Sequence, residues 1–153
     1  MRLTRFSDIG LRVLMYLARE QRSPAVTVAE VACQFDISHN HLVKVVGAMA
    51  KLGWIDALRG RHGGISLAVP ADRLRIGDVL QVLEGRGEAG DCQGLICRQA
   101  GDCGLRQALR GGMQAFYAAM NRHTLADIVS GDTGELIVGM HRKFLVRELR
   151  EES

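Results

Sequence analysis

Three cysteines, Cys92, Cys97 and Cys103, fall within twelve residues at the spacing C-x4-C-x5-C. The segment also holds Gly90, Gly94, Gly101 and Gly104. Thiolates bind iron–sulfur clusters and zinc, and glycines let a loop fold its thiolates inward around one ion or cluster. Three thiolates leave one coordination position to fill. Zinc fills it with a histidine, cysteine or carboxylate, and an iron–sulfur cluster can use the same set. The spacing is not a zinc-finger C-x2-C pair, which makes zinc the weaker reading. The fourth cysteine, Cys33, follows Val31 and Ala32 in a short helical pattern and reads as buried packing outside the site.

A second set of side chains suits nucleic acid. Ser38, His39, Asn40, His41 and Lys44 crowd the start of one helical pattern. Arg59, Arg61 and His62 sit among Gly60, Gly63 and Gly64. Hydroxyl, amide, imidazole and ammonium groups bond to base edges and phosphates. A glycine-borne arginine can follow the backbone or enter a minor groove. No nucleophile–base pair, phosphate loop or His-Glu metal motif accompanies them, which argues against an enzyme.

The elements that position these groups follow from hydrophobic spacing. Phe6, Ile9, Val13, Leu14 and Leu17 predict a helix over residues 5–20, with Pro24 beyond its end. Thr27 and Glu30 have the form of a capping box for a helix ending near Phe35. Asp36-Ile37 forms a tight turn, and Ser38 is a natural cap for a helix to about Leu52. Leu42, Val45, Val46, Met49 and Leu52 are its apolar stripe, and Gly53 stops it. Two extended runs, Trp54–Leu58 and Ile65–Val69, flank the arginine–glycine tip and read as a hairpin. Helices are expected at Ile76–Leu83 and 105–122, with a capped turn from Thr124 to Ile128. Residues 85–104 read as a glycine-rich loop. The tail over 134–149 has helical spacing, and a helix is favoured there. Helix, short helix, turn, helix and hairpin together make a winged helix-turn-helix, whose second paired helix enters the major groove.

The chain has 153 residues, enough for one domain, or one small domain plus an arm. Its 47% hydrophobic and 24% charged residues exclude disorder as the dominant state. No apolar run approaches the roughly 18–20 residues that span a bilayer. The N-terminus lacks a signal-peptide apolar stretch, and the expected location is the cytoplasm. The net charge of +3 is uneven: residues 1–70 hold nine Lys or Arg against five Asp or Glu. A basic N-terminal half points weakly to nucleic acid.

The sequence resembles the Rrf2 family of winged-helix regulators, and within it the nitric-oxide-sensing repressors. The resemblance spans roughly residues 1–130. It rests on Met1-Arg2-Leu3-Thr4 with Phe6, Asp8, Gly10-Leu11-Arg12 and Leu14. Ser38 to Val45, Arg59 to Ile65, Ile76-Gly77-Asp78-Val79 and Thr124-Leu125-Ala126-Asp127 carry the rest.

The resemblance implies a mainly α fold: a winged helix-turn-helix with a long C-terminal dimerisation helix and a cysteine-containing loop. By this reading residues 1–70 are the DNA-binding domain and 71–104 the connecting helix and cluster-binding loop. Residues 105–130 hold the dimerisation helix, and 131–153 form a C-terminal extension. The implied cofactor is an iron–sulfur cluster on Cys92, Cys97 and Cys103, with 4Fe–4S favoured over 2Fe–2S. Its fourth ligand is Asp8 of the partner subunit. The implied function is repression as a homodimer on a palindromic operator, with release when nitric oxide attacks the cluster. An alternative is a cluster- or redox-sensing regulator akin to the iron–sulfur biogenesis regulator. That relative has a histidine ligand three residues after the third cysteine, where this chain has Arg106. A zinc-stapled DNA-binding protein without sensing is a further alternative.

Overall fold

The computed structural model describes residues 2–19, 24–58, 60, 63–85 and 103–151. The elements run α1 (Arg5–Arg19), α2 (Val28–Phe35), α3 (His39–Lys51), β1 (Ile55–Leu58), β2 (Gly64–Leu67), α4 (Ile76–Leu83), α5 (Gly104–Met120), α6 (Leu125–Ile128) and α7 (Gly131–Glu151). A single 3-10 turn, Ala71–Arg73, joins the hairpin to α4. The fold is thus mainly helical with one two-stranded sheet, as the sequence predicts.

Most of α1 is core. Ile9, Val13, Leu14, Tyr16 and Leu17 are buried, and α3 packs on them with Leu42, Val45, Val46 and Met49. These spacings of three and four put one stripe of each helix inward. Between α2 and α3 the chain turns at Asp36, whose φ of 50° is left-handed. Aspartate tolerates that region better than most residues. The Ile37 N–H closes the turn on the Ala32 carbonyl at 2.9 Å.

The caps divide. Thr27 behaves as expected, its hydroxyl accepting the Glu30 N–H at 3.1 Å. The Glu30 carboxylate turns inward to Tyr16, described below. Ser38 holds the cap position of α3 but makes no side-chain cap bond. Its backbone carbonyl accepts from His41 and Leu42, and the residue is exposed. Cys33 corrects the sequence reading: it is exposed. The short α2 buries Glu30 and Val31, and Cys33 lies off that face.

The hairpin pairs Ile55 with Leu67, Asp56 with Ser66, Ala57 with Ile65 and Leu58 with Gly64. It is rooted by a bridge the sequence did not suggest. Val26, just before α2, pairs with Ile65, and the Ile65 N–H reaches the Val26 carbonyl at 2.7 Å. Gly64 permits this approach, because a β-carbon there meets Ala25 and the Val26 carbonyl.

A second junction joins α4 to α5. Asn121 accepts the Asp78 N–H at 2.9 Å and returns its amide to the Asp78 carboxylate at 2.7 Å. Gly77 lies against the Tyr117 backbone with no room for a β-carbon. Thr124 and Asp127 form a full capping box on α6. The tail is α7, a 21-residue helix packed on α1.

Candidate nucleic-acid interface and cysteine site

The start of α3 is a polar surface. Ser38, His39, Asn40 and Lys44 are exposed and His41 is half-buried. The first turn of α3 contains no acidic residue. Its free backbone N–H groups and helix dipole therefore favour a phosphate. The buried stripe behind this face fixes its orientation, so the side chains that reach outward have a rigid base. The wing lies beside it through the chain reversal after Leu52 and Gly53. At the wing tip the Gly63 N–H reaches the Gly60 carbonyl at 2.9 Å, and Gly60 has φ 112°. That backbone conformation needs glycine. Arg59, Arg61 and His62 lie outside the described residues.

Of the three clustered cysteines, Cys103 is described. It stands at the N-cap of α5, half-buried, and lines a surface pocket with Arg106, Gln107 and Arg110. A helix N-terminus and two guanidinium groups present positive charge to a thiolate or to an anionic ligand set. Cys92 and Cys97 lie outside the described residues. Among the described residues no group of three or more His, Cys, Asp or Glu side chains is placed to hold a metal.

Asp8 occupies the first turn of α1. Its carboxylate accepts a hydrogen bond from Arg12 Nε at 3.0 Å, and both side chains are half exposed. Exposed pairs one helical turn apart hold weakly, so this contact leaves Asp8 exchangeable. Four residues earlier, the Thr4 N–H and hydroxyl donate to the Glu84 carboxylate at 2.9 and 3.2 Å. Glu84 caps α4 at the point where the chain enters the cysteine segment. Tyr117 on α5 is also near, its hydroxyl pKa pushed up by burial and then by the Glu84 carboxylate. The start of α1, the end of α4 and the side of α5 therefore meet at one place.

The feature that sequence reasoning missed lies between α1, α2 and α7. Glu30 and His141 are buried, at 2% and 0% exposure. Tyr16 donates its hydroxyl to Glu30 Oε1 at 2.6 Å. The His141 ring stacks on Tyr16 at 3.9 Å between centroids. Its Nε2 bonds to the Tyr16 carbonyl at 3.0 Å, and its Nδ1 stands 3.8 Å from Glu30 Oε1. The only advance signal was a carboxylate and a histidine on otherwise apolar helix faces.

A winged helix with a polar, acid-free reading-helix front, joined to a long helix that starts at a cysteine, defines a DNA-binding transcription regulator. The family model described as Rrf2, iron-dependent transcriptional regulator, matches residues 3–131. The chain belongs to the Rrf2 family. Solved structures agree on the fold. CymR (YrzC), the global cysteine regulator of B. subtilis, superposes with a TM-score of 0.67 at 21% identity, covering 85% of this chain and 97% of that one. The oxidised form of Staphylococcus aureus CymR gives 0.67 at 22% identity, covering 86% and 98%. IscR of T. potens gives 0.66 at 21% identity, covering 84% and 86%. No helix among the described residues is long and apolar enough to cross a membrane.

Proposed function

We propose that the chain is an iron–sulfur transcriptional repressor that binds a palindromic operator as a homodimer and releases it in response to nitric oxide. The observation that carries the reading is Cys103 at the N-terminus of α5, beside Arg106 and Arg110, in the same fold as an exposed DNA-reading helix. Cys92, Cys97 and Cys103 would hold a 4Fe–4S cluster, with Asp8 of the partner subunit as the fourth ligand. The donor chemistry fits: three soft thiolates and one hard carboxylate suit an iron site with one weak bond. When bound, the cluster supplies iron open to attack by nitric oxide.

The chain's own residues supply the rest. Ser38, His39, Asn40, His41 and Lys44 face the major groove, and Arg59, Arg61 and His62 reach from the wing. The outward side of α5 pairs with a second copy. Thr4 and Glu84 tie the start of α1 to the root of the cysteine segment, and α1 packs against α3. A change at that root is therefore passed to the reading helices. Half-sites lie one helical turn apart, so a few ångströms of displacement costs one of them. Arg106 in place of a histidine ligand disfavours the biogenesis-regulator type of site.

The test is fluorescence anisotropy of anaerobically purified protein on a duplex that it selects from a randomised pool. Adding a nitric-oxide donor should abolish binding, and Asp8→Ala should blunt that response while leaving the fold intact. Binding that is indifferent to nitric oxide in protein carrying its cluster contradicts the sensor reading. An unchanged cluster and unchanged response in Asp8→Ala contradicts the cross-subunit ligand.

A further inference from the structure

The family model ends at residue 131, and α7 begins there. The buried contacts of α7 go to the DNA-reading unit. His141 holds the backbone and ring of Tyr16 in α1, and through Tyr16 it meets Glu30 in α2. One turn along α2, Gln34 Nε2 donates to the Met140 carbonyl at 3.5 Å. At the other end of α7, Gly134 lies against the Val129 carbonyl with no room for a β-carbon, and the Arg19 guanidinium of α1 reaches over it. Phe35, the last residue of α2, meets the Tyr16 ring edge-on at 5.8 Å. A helix beyond the common part of the family thus grips both helices that support α3.

We propose that α7 positions the DNA-reading helix, with His141 as its joint. The Tyr16 carbonyl can only accept, so His141 Nε2 carries the proton and donates. A directional bond, a stacked ring and a buried carboxylate at one point fix the angle between α7, α1 and α2. Apolar packing alone tolerates sliding; a buried polar network does not, because shifted partners leave polar atoms unsatisfied. The fixed angle prepares α3 for two half-sites at once, so less ordering is needed on binding. His141 touches no DNA in this account and acts through Tyr16 of α1, whose hydroxyl bonds Glu30 of α2.

The inference rests on the DNA-binding half of the proposed function and not on the cluster. The full chain is titrated against the duplex that wild-type protein selects, and against unrelated duplex of equal length. His141→Leu keeps the apolar volume and removes the bond; it should bind the selected duplex about tenfold more weakly, roughly 1.4 kcal/mol. Its affinity for unrelated duplex and its salt dependence should be unchanged, since phosphate contacts remain. His141→Gln, which can still donate, should recover most of the loss. A purely structural role would instead lower the fraction of active protein and leave the affinity of that fraction unaltered.

Coupling is reciprocal, so a second measurement needs no variant. Amide exchange over residues 137–145 of wild-type protein should slow when the selected duplex is added. Unchanged affinity in folded His141→Leu overturns the proposal. So does unchanged exchange over 137–145 while α3 becomes protected. If His141→Leu does not fold, the exchange measurement decides. Wild-type protein that selects no duplex would instead contradict the proposed function itself.

Discussion

Two helices of similar length, α3 and α5, meet opposite fates in one chain. α3 buries Leu42, Val45, Val46 and Met49 against α1 and the hairpin. α5 has no fully buried residue over its seventeen, and Leu105 and Leu109 are 69% and 46% exposed. Both carry apolar residues at helical spacing, so sequence pattern alone does not separate them. The difference is that α3 packs its whole apolar stripe within the chain, and α5 only part of its own. α5 packs its C-terminal part, Phe116, Tyr117 and Met120, on α4 and the core, and among the described residues Leu105 and Leu109 in its first half stand exposed. Exposed leucines at helical spacing support the proposal that the dimer runs through α5.

The contrast can be broken from either side. On α3, Leu42→Ala removes a fully buried side chain and should cost about 2–5 kcal/mol, read as a lowered urea midpoint at fixed protein concentration. On α5, Leu109→Glu should leave the secondary structure intact and turn the dimer into a monomer in light scattering. A dimer that survives this charge would move the interface elsewhere. The polar front of α3 gives a smaller and more selective effect. Lys44→Ala should weaken all duplexes by a similar factor and reduce the slope of log affinity against log salt by about one, with no change in melting temperature.

The smallest effect comes from the α6 cap, which joins α5 to the rest. The Asp127 carboxyl is held below its ordinary value of 3.8, first by the Thr124 N–H and then by the Thr124 hydroxyl. A depressed folded value adds stability that is full above the ordinary value and lost as pH falls through the folded one. Asp127→Asn should therefore be less stable than wild type near neutral pH, and the gap should close on acidification. A gap that stays constant with pH would remove the charge from the account.

What the sequence revealed follows the range of the interactions. The stripes of α1 and α3, the Thr27 and Thr124 caps, the Asp36 turn and the wing strands are local patterns, and each is present. The bridge from Val26 to Ile65 and the bond from His141 to Tyr16 span 39 and 125 residues. No local spacing encodes them. Ser38 shows a limit of another kind: a good cap residue stands at the cap position of α3, yet its hydroxyl makes no cap bond. Cys33 shows that a cysteine's type says little about its burial in a helix with a narrow inner face. For the cysteine site, the spacing expected a helix from residue 105, and Cys103 stands at the start of α5; its pocket with Arg106 and Arg110 was not foreseen. Cys92 and Cys97 lie outside the described residues, so the ligand set rests on their chemistry and on the resemblance.

The central claim is that this winged helix carries an iron–sulfur cluster. Native mass spectrometry of the anaerobically purified chain tests it most directly. A dimer bearing one four-iron, four-sulfide cluster per chain is the predicted result. A zinc adduct, or bare chains after anaerobic reconstitution with iron and sulfide, would contradict the sensor and leave a DNA-binding regulator of another signal.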